Sequence, residues 1–172
     1  MKKSVSTLSS LAIGAFVCVF ALTVHSAPSN AFGSASKSES KEFKAGEKAV
    51  EKEDYAKAVE ILTDVIVAEP ENADAYNYLA FSQRHLGATD EAMANYNKAL
   101  SIDPEHKGAL EYQGELFLIL GDAGSAEANL AKLVKVCDRS CEERDTLQAA
   151  IERFKDGKAA WTAPDRGARD HG

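Results

Sequence analysis

Positions in the middle of this chain repeat every 34 residues, and that period limits what the chain can fold into. Ala58, Ala92 and Ala126 are spaced by it. So are Gly46, Ala80 and Gly114; Leu62, Tyr96 and Leu130; and Val65, Ala99 and Leu133. Gly87 and Gly121 share one phase, and Pro70 and Pro104 another. A fixed period of this length marks a supersecondary unit that cannot bury its apolar side alone and is stabilised by stacking on its neighbours.

Within one period the apolar spacing is helical. Tyr76, Leu79, Ala80 and Gln83 fall on one side of a first helix, and Ala92, Tyr96, Ala99 and Leu100 form a stripe on a second. Small residues at Ala80 and Ala92 let two helix backbones approach closely. Gly87 predicts the end of the first helix, because glycine adopts the left-handed backbone without steric cost. Asp103 followed by Pro104 reads as an N-cap and first helical residue. The expected fold is all-α: three helix-turn-helix units stacked into a superhelix, closed by a capping helix.

Residues Ala73 to Pro104 carry a recognisable pattern in Tyr76, Leu79, Ala80, Gly87, Ala92, Tyr96, Ala99 and Pro104. In these the stretch resembles the tetratricopeptide repeat. The unit before it has Glu42 in place of the bulky aromatic but keeps Tyr55, Ala58 and Pro70. The unit after it has Gly114, Gly121 and Ala126, with Asp138 in place of the proline. The resemblance implies repeats at 39–72, 73–106 and 107–140. A helix over 141–156 would cap the array, with Leu147, Ala150, Ile151 and Phe154 as its apolar stripe. Ser140 and Glu143 suit a capping box at its start, and Gly157 its end.

The flanks read differently. Lys2 and Lys3 precede Leu11–Val24, a 14-residue run without charge. That is short for a membrane span, which needs about 20 apolar residues, and suited to a signal-peptide core. Residues 1–31 are expected to be an export signal, cleaved after Ala27 or Ala31, with an uncleaved inner-membrane anchor as the alternative. Cys18 follows Val17 inside the apolar run, which does not fit a lipoprotein site. Residues 32–38 read as a flexible linker, and 157–172 as a disordered tail containing Trp161.

Without residues 1–31 the chain has 18 basic against 27 acidic side chains, a formal net charge of −9. That is poorly matched to nucleic acid or an anionic lipid surface, and permits a basic partner. Two cysteines then remain, Cys137 and Cys141. An even count in an exported chain favours a disulfide, and a turn at Asp138–Ser140 would bring the sulfurs together. Read functionally, the pair is redox-active; read structurally, it staples the last helix to the third repeat. No thioredoxin-like Cys-x-x-Cys is present, and a zinc site would lack two ligands. His85, His106 and His171 form no recognisable catalytic constellation, so neither cofactor nor metal is expected.

In the tetratricopeptide family the first helix of each pair lines an inner groove. The family's groove positions fall here on Phe43, Glu47 and Val50, then Asn77, Phe81, Arg84 and His85, then Glu111, Glu115 and Leu118. The resemblance implies a site for a peptide or helix with apolar side chains and some positive charge. Some members grip a terminal carboxylate with several basic groups, whereas Arg84 is alone here. A cysteine pair before a Leu- and Ala-rich helix also resembles small exported repeat proteins of Gram-negative bacteria, which implies the periplasm. The sequence therefore reads as a non-catalytic adaptor or scaffold of the cell envelope. The alternatives are a thiol-disulfide protein and a self-associating structural one.

Overall fold

The structure, a computed structural model, describes residues 40–157. The expected signal and linker, Cys18, Trp161 and His171 lie outside the described residues. Among the described residues the chain forms seven helices and no strand: α1 (Lys41–Glu51), α2 (Tyr55–Ala68), α3 (Ala73–His85), α4 (Thr89–Ile102), α5 (Lys107–Ile119), α6 (Ala123–Val136) and α7 (Glu142–Lys155). The chain is an all-α helical-repeat superhelix.

Each helix contacts only helices one or two places away along the chain. The first helices α1, α3 and α5 touch in succession, whereas α2, α4 and α6 do not touch one another. The array therefore curves, with α1, α3 and α5 on the tighter, inner side.

Small residues set the close approaches. A Cβ added at Gly46 would lie 2.5 Å from Leu62, and one at Gly114 2.6 Å from Leu147. The second contact seats α7 on α5, as the first helix of a fourth pair would be seated. Leu147, Ala150 and Ile151 share a buried cluster with Leu110, Leu118, Ala126 and Leu133. A larger cluster centred on Leu62, Leu79, Phe81 and Tyr96 joins the first two pairs and reaches Tyr112 and Leu116.

Five helices start on a side-chain cap. Ser40, Asp54, Asn72, His106 and Asp122 each accept from the backbone N–H three residues on. Two sequence expectations are corrected here. Asp103 is the C-cap of α4 and its carboxylate accepts from Glu105 N–H in a turn, so Pro104 does not open α5; His106 caps that helix instead. The Ser140 capping box does not form: Cys141 is the N-cap of α7 and makes no side-chain cap bond. The bridge to Cys137 has already committed that residue's sulfur.

Gly87 and Gly121 have φ of +80° and +82°, and Gly157 ends α7 at +62°. Glu53, 34 residues before Gly87, takes the same left-handed conformation at φ 59°. The repeat keeps the backbone turn there even though the glycine is absent.

Candidate functional site: the inner face of the array

Helix α1 places Phe43, Glu47 and Val50 on one side, spaced by four and three residues. Phe43 and Val50 are buried in the larger core cluster, and Glu47 is half-buried between them. Phe43 lies 5.9 Å, ring to ring, from Tyr78 of α3.

Helix α3 supplies Asn77, Phe81, Arg84 and His85. Phe81 is the centre of an aromatic group, 4.8 Å from Tyr112, 4.5 Å from His85 and 6.1 Å from Tyr55. His85 stacks on Tyr55 at 4.2 Å. The Arg84 guanidinium lies 5.3 Å from the Phe81 ring centre and 5.6 Å from that of Tyr112, within cation–π range.

Helix α5 supplies Glu111 and Glu115, both buried. Arg84 Nη1 donates to Glu115 Oε2 at 2.8 Å, with both side chains 3% exposed. Burial works against the guanidinium charge, yet Tyr96 and Glu115 hold its pKa above the usual value. Burial also pushes the Tyr96 phenol far above its ordinary range, so Tyr96 is neutral.

Helices α1 and α5 thus carry three acidic side chains, Glu47, Glu111 and Glu115, and Arg84 of α3 pairs with the last. Asn77 Oδ1 and Arg84 Nε are buried and have no hydrogen-bond partner among the described residues. A buried polar atom left in that state costs about 1–3 kcal/mol, so it marks a place where a ligand's polar group is favoured. Leu118 belongs instead to the cluster beneath α7. Tyr55 and Tyr112, which hold Phe81 and Arg84, are not among the groove positions: Tyr55 reads in the sequence only as part of the repeat pattern and comes from a second helix, and Tyr112 precedes Gln113 off the family's groove positions.

The cysteines stand apart from this face. Cys137 and Cys141 are joined by a disulfide with Cα atoms 5.6 Å apart, linking the C-cap of α6 to the N-cap of α7. Among the described residues they and Glu143 form a group of potential metal ligands. With the two sulfurs bonded to each other, no thiolate is present to bind an ion.

His106 is buried and structural. Its Nδ1 accepts from Ala109 N–H at 3.1 Å, and its Nε2 lies 3.0 Å from Asp74 Oδ1. The accepting Nδ1 fixes the neutral ring in the tautomer that carries its proton on Nε2, donating to Asp74.

Comparison with known proteins agrees with this architecture. The tetratricopeptide repeat family model matches residues 73–106. The chain is 32% identical over 121 residues to a protein SGT1 homolog of Oryza sativa subsp. japonica, covering 63% of this chain and 33% of that protein. It therefore spans a third of the length of the curated relative it matches. Among solved structures, the TPR2B domain of yeast Sti1 in its pHsp70 complex superposes with TM-score 0.60 at 22% identity, covering 69% of this chain and 100% of that one. PcrH in complex with the chaperone binding region of PopD gives TM-score 0.60 at 17% identity, covering 69% and 91%. With a repeat that matches the family model, the same helix pairing on either side of it and solved neighbours of the same fold, this chain is a tetratricopeptide-repeat protein.

Proposed function

We propose that this protein is a non-catalytic interaction module of the cell envelope, holding a peptide or helix of a partner protein against the inner face of α1, α3 and α5. The observation that carries this reading is the polar and aromatic set on that face: Phe81 as apolar anchor, unpartnered Asn77 Oδ1 and three carboxylates. Two solved neighbours support it, since yeast Sti1 is seen in a complex with pHsp70 and PcrH with a region of PopD. The partner's chemistry differs from a carboxylate ligand. Arg84 is committed to Glu115, and the acidic side chains Glu47, Glu111 and Glu115 on these helices favour a segment with a Lys or Arg beside an apolar residue.

The envelope location rests on the signal-like residues 1–31 and on the disulfide, which persists in oxidising compartments. The acidic module fits neither nucleic acid nor anionic lipid, and no helix among the described residues is long and apolar enough to cross a membrane. The disulfide joins helix ends away from the inner face, which favours a staple over a redox centre.

The test is capture from the native envelope fraction by the processed protein and by a Glu47→Lys, Glu111→Gln variant whose circular dichroism and melting match the wild type. A protein retained by the wild type and lost from the variant supports inner-face binding and names the partner. Equal retention by both overturns it. Fractionation and the mass of the mature N-terminus check the location.

A further inference from the structure

The turn between α6 and α7 gathers chemistry that the inner face does not use. Cys137 ends α6 and Cys141 starts α7, with Cα atoms 5.6 Å apart. Glu143, in the first turn of α7, brings its Oε2 to 3.2 Å from Cys141 Sγ. The two sulfurs and a carboxylate oxygen of Glu143 all lie within 4.8 Å of one another. By sequence a zinc site at this pair lacks two ligands. The folded chain supplies one of them.

We propose that reduction of the Cys137–Cys141 bridge turns this corner into a binding site for a thiophilic divalent cation of the zinc type, held by both thiolates and Glu143, with the fourth position left to water.

Spacing, anchorage and charge support it. Zinc holds thiolate sulfurs at about 2.3 Å and carboxylate oxygens at about 2.0–2.2 Å, so its tetrahedral ligand atoms stand about 3.6–3.8 Å apart. The Cys137, Cys141 and Glu143 side chains reach those separations by rotation alone. The backbone at both cysteines is fixed by contacts other than the bridge. Cys137 N–H donates to Leu133 O at 2.9 Å, and Asp145 N–H donates to Cys141 O at 3.2 Å. Arg144 Nη1 donates across the turn to Asp138 O at 3.1 Å. Leu147, Ala150 and Ile151 hold α7 on the array through their buried cluster. The two sulfurs therefore stay within reach of one ion once the bond between them is gone.

Cys141 stands at the N-cap of α7, where no side-chain cap bond forms. The helix N-terminus favours an anion there, and so the thiolate over the thiol. Cys141 is buried while Cys137 and Glu143 are half-buried, which shelters an ion and leaves it a way in. Ligation through one carboxylate oxygen leaves the rest of Glu143 to its other contacts. Thiolates select zinc-like ions against magnesium and calcium, which take oxygen ligands.

A dithiol reductant passes two electrons and two protons to the bridge, is itself oxidised to a disulfide, and leaves two cysteine thiols. Binding of the dication then forms two metal–sulfur bonds and releases those two protons to water. Bridge and ion exclude each other, so the oxidation state of the pair decides which of them links α6 to α7. Partner binding at the inner face does not enter.

Cobalt provides the probe. The 172-residue chain carrying Cys18→Ser, so that the pair is its one source of thiols, would be reduced with a phosphine, desalted under nitrogen and titrated with Co2+. One Co2+ per chain is expected, with the intense near-ultraviolet charge-transfer band of thiolate ligands, lost again on adding one equivalent of Zn2+. The oxidised chain should give no such band. Glu143→Gln should weaken Co2+ binding by about tenfold or more while keeping the band. Glu142→Gln, at an exposed neighbour, should leave the affinity unchanged. Matching circular dichroism of the oxidised variants keeps a folding defect from passing for a lost ligand. No band in the reduced chain, one ion shared between two chains, full affinity in Glu143→Gln, or an equal loss in Glu142→Gln overturns the proposal.

Discussion

Glu53 shows how a repeat can hide one of its own rules. Gly87 and Gly121 share a phase that the sequence displays, but the first repeat fills it with glutamate, so the turn there is invisible to pattern reading. The backbone is left-handed nonetheless, at a cost of about 1 kcal/mol for a side chain with a Cβ. Glu53→Gly should therefore stabilise the protein by about 0.5–1 kcal/mol in urea denaturation. Glycines inside helices act in opposite directions. Gly114→Ala would push a methyl group against Leu147 and should cost about 1–3 kcal/mol. Gly124→Ala meets only the Asp122 carboxylate at 3.6 Å and should gain about 0.5–1 kcal/mol. The Arg84–Glu115 pair was equally illegible, because two residues 31 positions apart on different helices share no local pattern. Glu115→Ala should cost about 3–5 kcal/mol by stranding a buried guanidinium, whereas Arg84→Met with Glu115→Leu should recover most of that. Asp122 gives a pH signature. The Ser125 hydroxyl and backbone N–H hold its carboxyl below the usual range, so its cap stabilises α6 above pH about 4 and is lost as the pH falls further. Asp122→Asn should remove that part of the acid dependence in a stability titration.

Among the helices, α7 and its disulfide were foreseen from the apolar stripe of Leu147 to Phe154 and from the even cysteine count. Its N-terminus was not, because the bridge took the capping position that Ser140 and Glu143 were suited to. Replacing both Cys137 and Cys141 with serine should lower stability by about 2 kcal/mol, the loop-closure value for so short a ring. The loss should appear as faster amide exchange in α7 before α1 to α5 are affected. A polar bridge between helices was also missed. Gln113, which stands where the second repeat has Leu79, donates to Asn97 at 2.8 Å and accepts from Asn129 at 2.9 Å. By apolar pattern alone Gln113→Leu looks favourable. It should instead cost about 1–3 kcal/mol, because the buried Asn129 amide loses its acceptor.

At the level of the whole molecule, the architecture was the most legible feature. The 34-residue period fixes helix number, pairing and curvature at once, because close packing at Gly46, Ala80 and Gly114 leaves few alternatives. The inner face was legible as a set of positions and not as a chemistry. The sequence could not reveal that Arg84 is neutralised internally, since that depends on a contact between repeats.

The neighbour-only contact pattern has a thermodynamic consequence. Helices α1 and α5 do not touch, so each end of the array can open without the other's consent. A ligand laid across α1, α3 and α5 would tie those ends together, acting as a rung between distant parts of a ladder. Occupancy should thus raise the cooperativity of unfolding as well as its midpoint, steepening the denaturation curve. An occupied array would melt as one body, and an empty one from its edges inward.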